Sequence, residues 1–223
     1  MIPRSKAAAL LLGLWAAAAL AGCWGRGARE DLSARELFKL ARRAVEKYRY
    51  EEAQELIDRI RDEFPFSRFA VEAELLEADM AYKKGAYEEA AAAYRSFEEL
   101  HPTHAKVPYA VYRRGLAYLE LSHPPDRDQT PTRQALEAFQ KLLHAYPGSE
   151  YAGEARRHVR ELRRRLAEHE MYVARYYLRK KKYRAALGRL QALVTQYPDS
   201  PLRDEALRLA LDLKSRLGEE EGP

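Results

Sequence analysis

Four stretches of the chain align with one another without gaps, and no other feature restricts the fold so strongly. They are Tyr50-EEAQELIDRIRDEF-Pro65, Tyr87-EEAAAAYRSFEELH-Pro102, Thr132-RQALEAFQKLLHAY-Pro147 and Tyr183-RAALGRLQALVTQY-Pro198. Each carries an Ala three residues in: Ala53, Ala90, Ala135 and Ala186. Large apolar residues follow four and seven positions later, as Ile57 and Ile60, Tyr94 and Phe97, Phe139 and Leu142, and Leu190 and Leu193. The spacing i, i+4, i+7 places them on one helical stripe. The small Ala lets a neighbouring helix approach, and the Pro at the end of each window stops the helix. A generic bundle with chance similarity does not account for four such windows.

Another helical stretch precedes each of the first three windows, over 33–47, 67–84 and 108–121. Ser67, Ser149 and Ser200 each fall two residues after a terminating Pro, where an N-cap is expected. Pro201 fits the first helical position. Helix, turn, helix and Pro at a period near 34 residues is the tetratricopeptide pattern. The insertion Ser122–Pro131 is rich in Pro and Asp and predicts an exposed loop. The stretch 149–182 contains no Pro and predicts one helix of about 30 residues, about 45 Å long. A last helix over 201–217 serves as a cap, ahead of a polar tail at 218–223. The reading is an all-α superhelical solenoid of about nine helices in four to five repeats, occupying residues 33–217.

Residues 1–22 have the layout of a secretory signal. Arg4 and Lys6 precede the apolar run Ala7–Leu20, and Leu20-Ala21-Gly22-Cys23 resembles a lipobox. On this reading the thiol of Cys23, the single Cys among 223 residues, receives lipid, and residues 23–32 form a tether. An uncleaved span over Ala7–Trp24 is the alternative. The residue after Cys23 is Trp24, not the Asp that retains lipoproteins in the inner membrane of many Gram-negative bacteria; this favours the outer membrane. Without Arg4 and Lys6 the net charge of +5 becomes +3, so much of the basicity belongs to the address.

No catalytic or cofactor motif is present: the sequence has no Gly-x-Ser-x-Gly elbow, P-loop or His-Glu-x-x-His. His101 and His104 bracket the Pro102 turn, a pair too small for a metal site and read as turn polarity. No catalytic residue, metal ligand or cofactor is expected apart from covalent lipid on Cys23. Arg156, Arg157, Arg160, Arg163, Arg164 and Arg165, with Arg179–Lys182, form a basic stripe. It reads as a solvated face partly paired with Glu154, Glu161 and Glu168, with anionic lipid or an acidic protein face as the other possibility. Nucleic acid is not an expected partner of an exported chain.

Longer motifs point to a family. His101-Pro-Thr-His104 followed by Tyr109-x-x-Tyr112-x-Arg114-Gly115-Leu116 resembles a signature of the BamD family, the tetratricopeptide lipoproteins of the outer-membrane β-barrel assembly machinery. So do Phe64-Pro-Phe66, Asp126-Arg-Asp128, Tyr146-Pro-x-Ser149-x-Tyr151 and the stretch from Leu162 to Tyr177. The resemblance runs from about Glu36 to Leu217. It implies a curved solenoid of about five repeats, lipid-anchored at the periplasmic face of the outer membrane. Implied partners are unfolded outer-membrane proteins, the periplasmic domains of the barrel-forming protein and accessory assembly lipoproteins. Matching positions imply substrate contact at Phe64, Phe66, Phe69, Tyr109 and Tyr112, and partner contact at Arg189. The family segment Tyr-Pro-Phe-x-x-Tyr has Phe in place of both Tyr here. Another periplasmic repeat lipoprotein, scaffolding envelope or peptidoglycan assembly, is the alternative reading.

Overall fold

The structure, a computed structural model, describes residues 32–220. The signal segment, Cys23, Trp24 and nearly all of the tether lie outside the described residues. Among the described residues there are nine helices and no strand. They are α1 (Ala34–Glu46), α2 (Tyr50–Glu63), α3 (Arg68–Lys83), α4 (Tyr87–Leu100), α5 (Val107–Glu120), α6 (Thr130–Ala145), α7 (Ala152–Arg179), α8 (Tyr183–Gln196) and α9 (Arg203–Glu220). Each helix packs against the next in sequence, and α1 also touches α3. This all-α arrangement of stacked helix pairs is the tetratricopeptide-like solenoid read from the sequence.

The aligned windows are the second helices of the pairs, α2, α4, α6 and α8. Their four Ala residues are fully buried, and so are the apolar residues four and seven positions on. The windows also end alike. Phe64, His101, Tyr146 and Tyr197 each precede a Pro, and all four sit near φ −130° and ψ +55°. The proline ring excludes its predecessor from helical space. Each of these residues still donates its N–H to the carbonyl four residues back. The helix therefore closes cleanly before the chain turns.

The first helices start in different ways. Ser33 and Glu36 form a reciprocal capping box at α1, which holds the Glu36 carboxyl below its ordinary range through the Ser33 hydrogen bonds. Ser67 caps α3, accepting from Ala70 N–H. Ser149 does not cap α7. Two further residues intervene before the helix starts at Ala152, Tyr151 takes the cap position, and the Ser149 hydroxyl is buried without a hydrogen-bond partner. Ser200 accepts from Leu202 N–H, but α9 begins only at Arg203, so Pro201 lies in the turn ahead of it. At the other end α9 runs to Glu220, past the start of the expected polar tail.

The insertion between α5 and α6 is largely exposed, as expected, and is held by one buried residue; Thr130 and Pro131 already belong to α6. Gln129 is buried and its amide donates to the carbonyls of His123, Pro124 and Arg127. Buried Thr132 in turn donates to the Gln129 side chain. His169 on α7 contacts the Pro125 carbonyl at 2.6 Å, tying the loop to the long helix. That helix has 28 residues, about 42 Å at the standard rise.

Candidate functional site

A cavity of about 570 Å³ opens on the face formed by α1, α3 and α5. Phe38 and Arg42 come from α1, Leu75, Leu76 and Asp79 from α3, and Tyr109 from α5. Ala105, Lys106, Glu150 and Tyr151 close it from the turns before α5 and α7. First helices of three successive pairs thus supply an apolar floor, with ionic groups at the rim. A peptide with alternating apolar and polar side chains suits such a lining. Lys106 Nζ lies 2.9 Å from Glu72 and Arg42 Nε 3.7 Å from Glu46, so both rim cations have a carboxylate partner.

Asp79 fixes the wall. Its Oδ1 accepts from the Tyr94 hydroxyl at 2.5 Å and from the Tyr109 hydroxyl at 2.7 Å. Arg113 donates from Nε to the Tyr94 oxygen at 3.1 Å and lies 3.6 Å from Asp79. Its guanidinium also sits 4.0 Å from the centroid of the Tyr82 ring, a cation–π contact. Burial first, and then the Asp79 charge, raises both Tyr94 and Tyr109 above the ordinary tyrosine value. Both phenols therefore remain donors, and the bond to Asp79 holds Tyr109 in the cavity wall.

Behind Tyr109 the rings continue. Tyr109 meets Tyr151 at 5.9 Å, and Tyr151 stacks on Tyr112 at 4.9 Å. Tyr112 meets Phe139 at 5.8 Å, and Phe139 stacks on His158 at 4.7 Å. Gly115 makes this arrangement possible. A Cβ there would lie 2.6 Å from the Phe139 ring, so the signature Gly is where an aromatic of α6 crosses α5.

The residues expected to touch substrate do not all converge. Tyr109 lines the cavity and Tyr112 supports it from behind. Phe69 packs on Phe38, with centroids 5.7 Å apart, and reaches the cavity only through that ring. Phe64 is half-buried against the core around α1 and α2, whereas Phe66 is fully exposed in the turn before α3. Phe38, Arg42, Asp79 and Arg113 were not singled out by sequence, because nothing local distinguishes them from ordinary helix residues.

Arg189 lies on α8, far along the chain from this cavity, and is not isolated. Its Nη1 is 3.2 Å from Glu170 Oε2 of α7, where Glu170 is only 6% exposed. The basic stripe is partly paired, as expected: Arg157 with Glu154, Arg164 with Glu161 and Glu168, Arg163 with Asp199. His101 contacts Glu74 at 2.8 Å, and His104 accepts from Lys106 N–H. Among the described residues, no group of three or more His, Cys, Asp or Glu is placed to hold a metal, and no helix is long and apolar enough to cross a membrane.

Residues 30–222 match the YfiO family, described as outer membrane lipoprotein. An outer membrane protein assembly factor BamD from Vibrio cholerae is 31% identical over 219 residues, covering 93% of this chain and 91% of the relative. Its counterpart from Xylella fastidiosa is 30% identical, covering 86% of this chain and 69% of the relative. The one from Neisseria meningitidis serogroup A is 31% identical, covering 85% and 74%.

Proposed function

Because the chain belongs to the BamD family of outer membrane lipoproteins, we propose that it is a non-catalytic assembly factor of the outer membrane, one that holds unfolded outer-membrane proteins for insertion. The observation that carries this reading is the cavity under Tyr109, whose apolar floor and ionic rim suit an extended segment. Stacked helix pairs hold such a surface rigid, so a client loses little of its binding free energy to ordering the receptor. Segments entering the cavity would contact Tyr109 directly and Phe69 through Phe38; exposed Phe66 would extend the contact along the α2–α3 turn.

In this proposal lipid on Cys23 anchors the chain to the periplasmic face of the outer membrane. More than one acyl chain makes such anchoring stable. The later repeats dock the periplasmic domains of the barrel-forming protein and accessory assembly lipoproteins. Arg189 takes part with the side of its guanidinium that is turned from Glu170. Co-purification from membranes in mild detergent should recover the barrel-forming protein with this chain. Recovery of peptidoglycan-building enzymes in its place would overturn the assembly reading in favour of an envelope scaffold.

A further inference from the structure

The turns of the solenoid are electrically lopsided. Those joining the two helices of a pair lie along one edge, and those joining successive pairs lie along the other. Several contacts place the first set together. Lys83 Nζ at the end of α3 sits 5.7 Å over the Tyr48 ring of the α1–α2 turn. The Tyr82 hydroxyl, beside Lys83, donates to Glu120 at the end of α5. Asp126 of the inserted loop shares a cavity with Arg179 at the end of α7.

Along this edge the turns carry Lys47 and Arg49, then Lys84, then Arg127, and finally Lys180, Lys181 and Lys182. Asp126 and Asp128 are the only acids in those four turns. The opposite turns hold one such cation, Lys106, against Glu150 and Asp199. The turns alone thus carry plus five along one edge and minus one along the other. Glu51 and Glu52 follow the first basic turn, with Glu52 paired to Arg49, and Glu88 and Glu89 follow the second. The uncompensated excess therefore lies at Lys180–Lys182. Among the described residues, no ion pair engages Lys47, Lys84 or Lys180–Lys182.

Backbone geometry adds a second observation. The middle residue of three of these turns has left-handed φ: Tyr48 at +59°, Gly85 at +79° and Lys181 at +56°. Glycine takes this conformation without steric cost, whereas Tyr and Lys do not. At two of three equivalent positions the chain thus carries a costlier side chain, and both are exposed. Tyr48 is 69% exposed and flanked by Lys47 and Arg49. An amphipathic ring among basic residues is the composition of a membrane–water interface.

We propose that this edge rests on an anionic phospholipid surface. The inference builds on the membrane-anchored reading above and specifies how the anchored chain lies on its membrane. A planar charged surface is the occupant favoured here, because the three consecutive exposed lysines project from an outer turn instead of converging on a pocket. Each Lys or Arg near such a surface contributes about fivefold in affinity, so the three consecutive lysines together contribute about 100-fold. Raising salt from 0.1 to 1 M shortens the screening length from about 10 Å to about 3 Å and removes most of that attraction.

The test uses the full lipidated chain in vesicles of phosphatidylcholine, with or without about a third phosphatidylglycerol. A fluorophore is placed on Glu88→Cys at the basic edge or on Thr103→Cys at the opposite edge, and nitroxide-headgroup lipid serves as quencher. Flotation with neutral vesicles reports the anchor alone, so failure of the anchored reading is seen separately. The proposal expects stronger quenching at Glu88→Cys than at Thr103→Cys, only with anionic lipid, and its loss in 1 M salt. Lys180→Gln/Lys181→Gln/Lys182→Gln should abolish the difference, and replacement of all three by Arg should keep it. Lys181→Gly relieves the backbone and so cannot fail through misfolding; it should reduce the quenching while raising thermal stability. Equal quenching at the two edges, or quenching indifferent to lipid charge, overturns the proposal. So does a Gln triple variant that loses only protein partners, which would assign the edge to an acidic protein.

Discussion

Asp79→Ala is the substitution that most directly tests how the cavity wall is held. The carboxylate accepts from two hydroxyls, at 2.5 and 2.7 Å, and neutralises Arg113 at 3.6 Å. Hydrogen bonds to a charged group contribute about 1.5–3 kcal/mol each. Losing both, with partial replacement by water at the open side of the cavity, predicts a cost of about 2–4 kcal/mol. Asp79→Asn keeps an acceptor for both hydroxyls and loses only the charge, so it should cost about 1 kcal/mol. Urea unfolding read by circular dichroism gives the difference. For a chain of this size 3 kcal/mol corresponds to about 6–12 °C in melting temperature. The same network predicts an alkaline limb. Tyr94 and Tyr109 have folded pKa values raised above their ordinary value near 10, so the unfolded chain loses those protons first. Their contribution is complete below about pH 10 and is lost as pH rises beyond it. Tyr94→Phe and Tyr109→Phe should each flatten that decline. An Asp79→Ala variant within about 0.5 kcal/mol of wild type, or an Asn variant as costly as Ala, would show that Asp79 does not hold the wall in this way.

Gly115→Ala should destabilise by about 2 kcal/mol. Helix propensity alone favours Ala by about 1 kcal/mol, but the new Cβ meets Phe139, which is fully buried, stacked on His158 and in tilted contact with Tyr112, and overpacking costs up to about 3 kcal/mol. A more stable Ala variant in urea unfolding would show that Phe139 can yield. Arg189→Ala strips buried Glu170 of its cation, an expected cost of about 1–3 kcal/mol given that Arg189 is 42% exposed. Arg189→Ala/Glu170→Gln should recover most of it, and that double variant is the proper background for measuring partner docking; additivity in the thermodynamic cycle would deny the coupling. His158 is held below its ordinary value near 6.5 by burial first and then by the Arg157 charge. Its stabilisation is present above about pH 6.5 and falls away as pH drops through the lower folded value. His158→Gln should lessen the loss of stability between pH 6.5 and 5, and an unchanged acid limb would contradict the assignment.

The second helices were legible in detail, because a buried Ala, two large apolar residues and a terminating Pro at fixed spacing leave little choice of face or end. Ser149 shows where that legibility stops. It follows Pro147 as Ser67 follows Pro65, yet two further turn residues separate it from its helix, and only the packing of Tyr151 against Tyr109 and Tyr112 accounts for the difference. The inserted loop is exposed as its composition indicates, but its anchor was not legible, because it rests on one buried Gln that satisfies three carbonyls. Tyr109 could be found in the sequence through a motif. Asp79 could not, since one Asp on a helix rich in Glu gains its role only from hydroxyls supplied by α4 and α5. Arg189 was visible as a charge, but its bond to Glu170 was not, and that bond makes a simple charge reversal an unsafe probe of docking.

In the function proposed above, the cavity of α1, α3 and α5 receives unfolded outer-membrane proteins. A photoreactive residue at Ala105, exposed at the cavity rim, tests it inside cells without disturbing the Asp79 network. Adducts with newly made outer-membrane proteins are expected there and not from the same residue at Glu55, exposed on α2. Adducts of equal yield at both positions, or none at Ala105 when outer-membrane proteins accumulate unfolded, would contradict it.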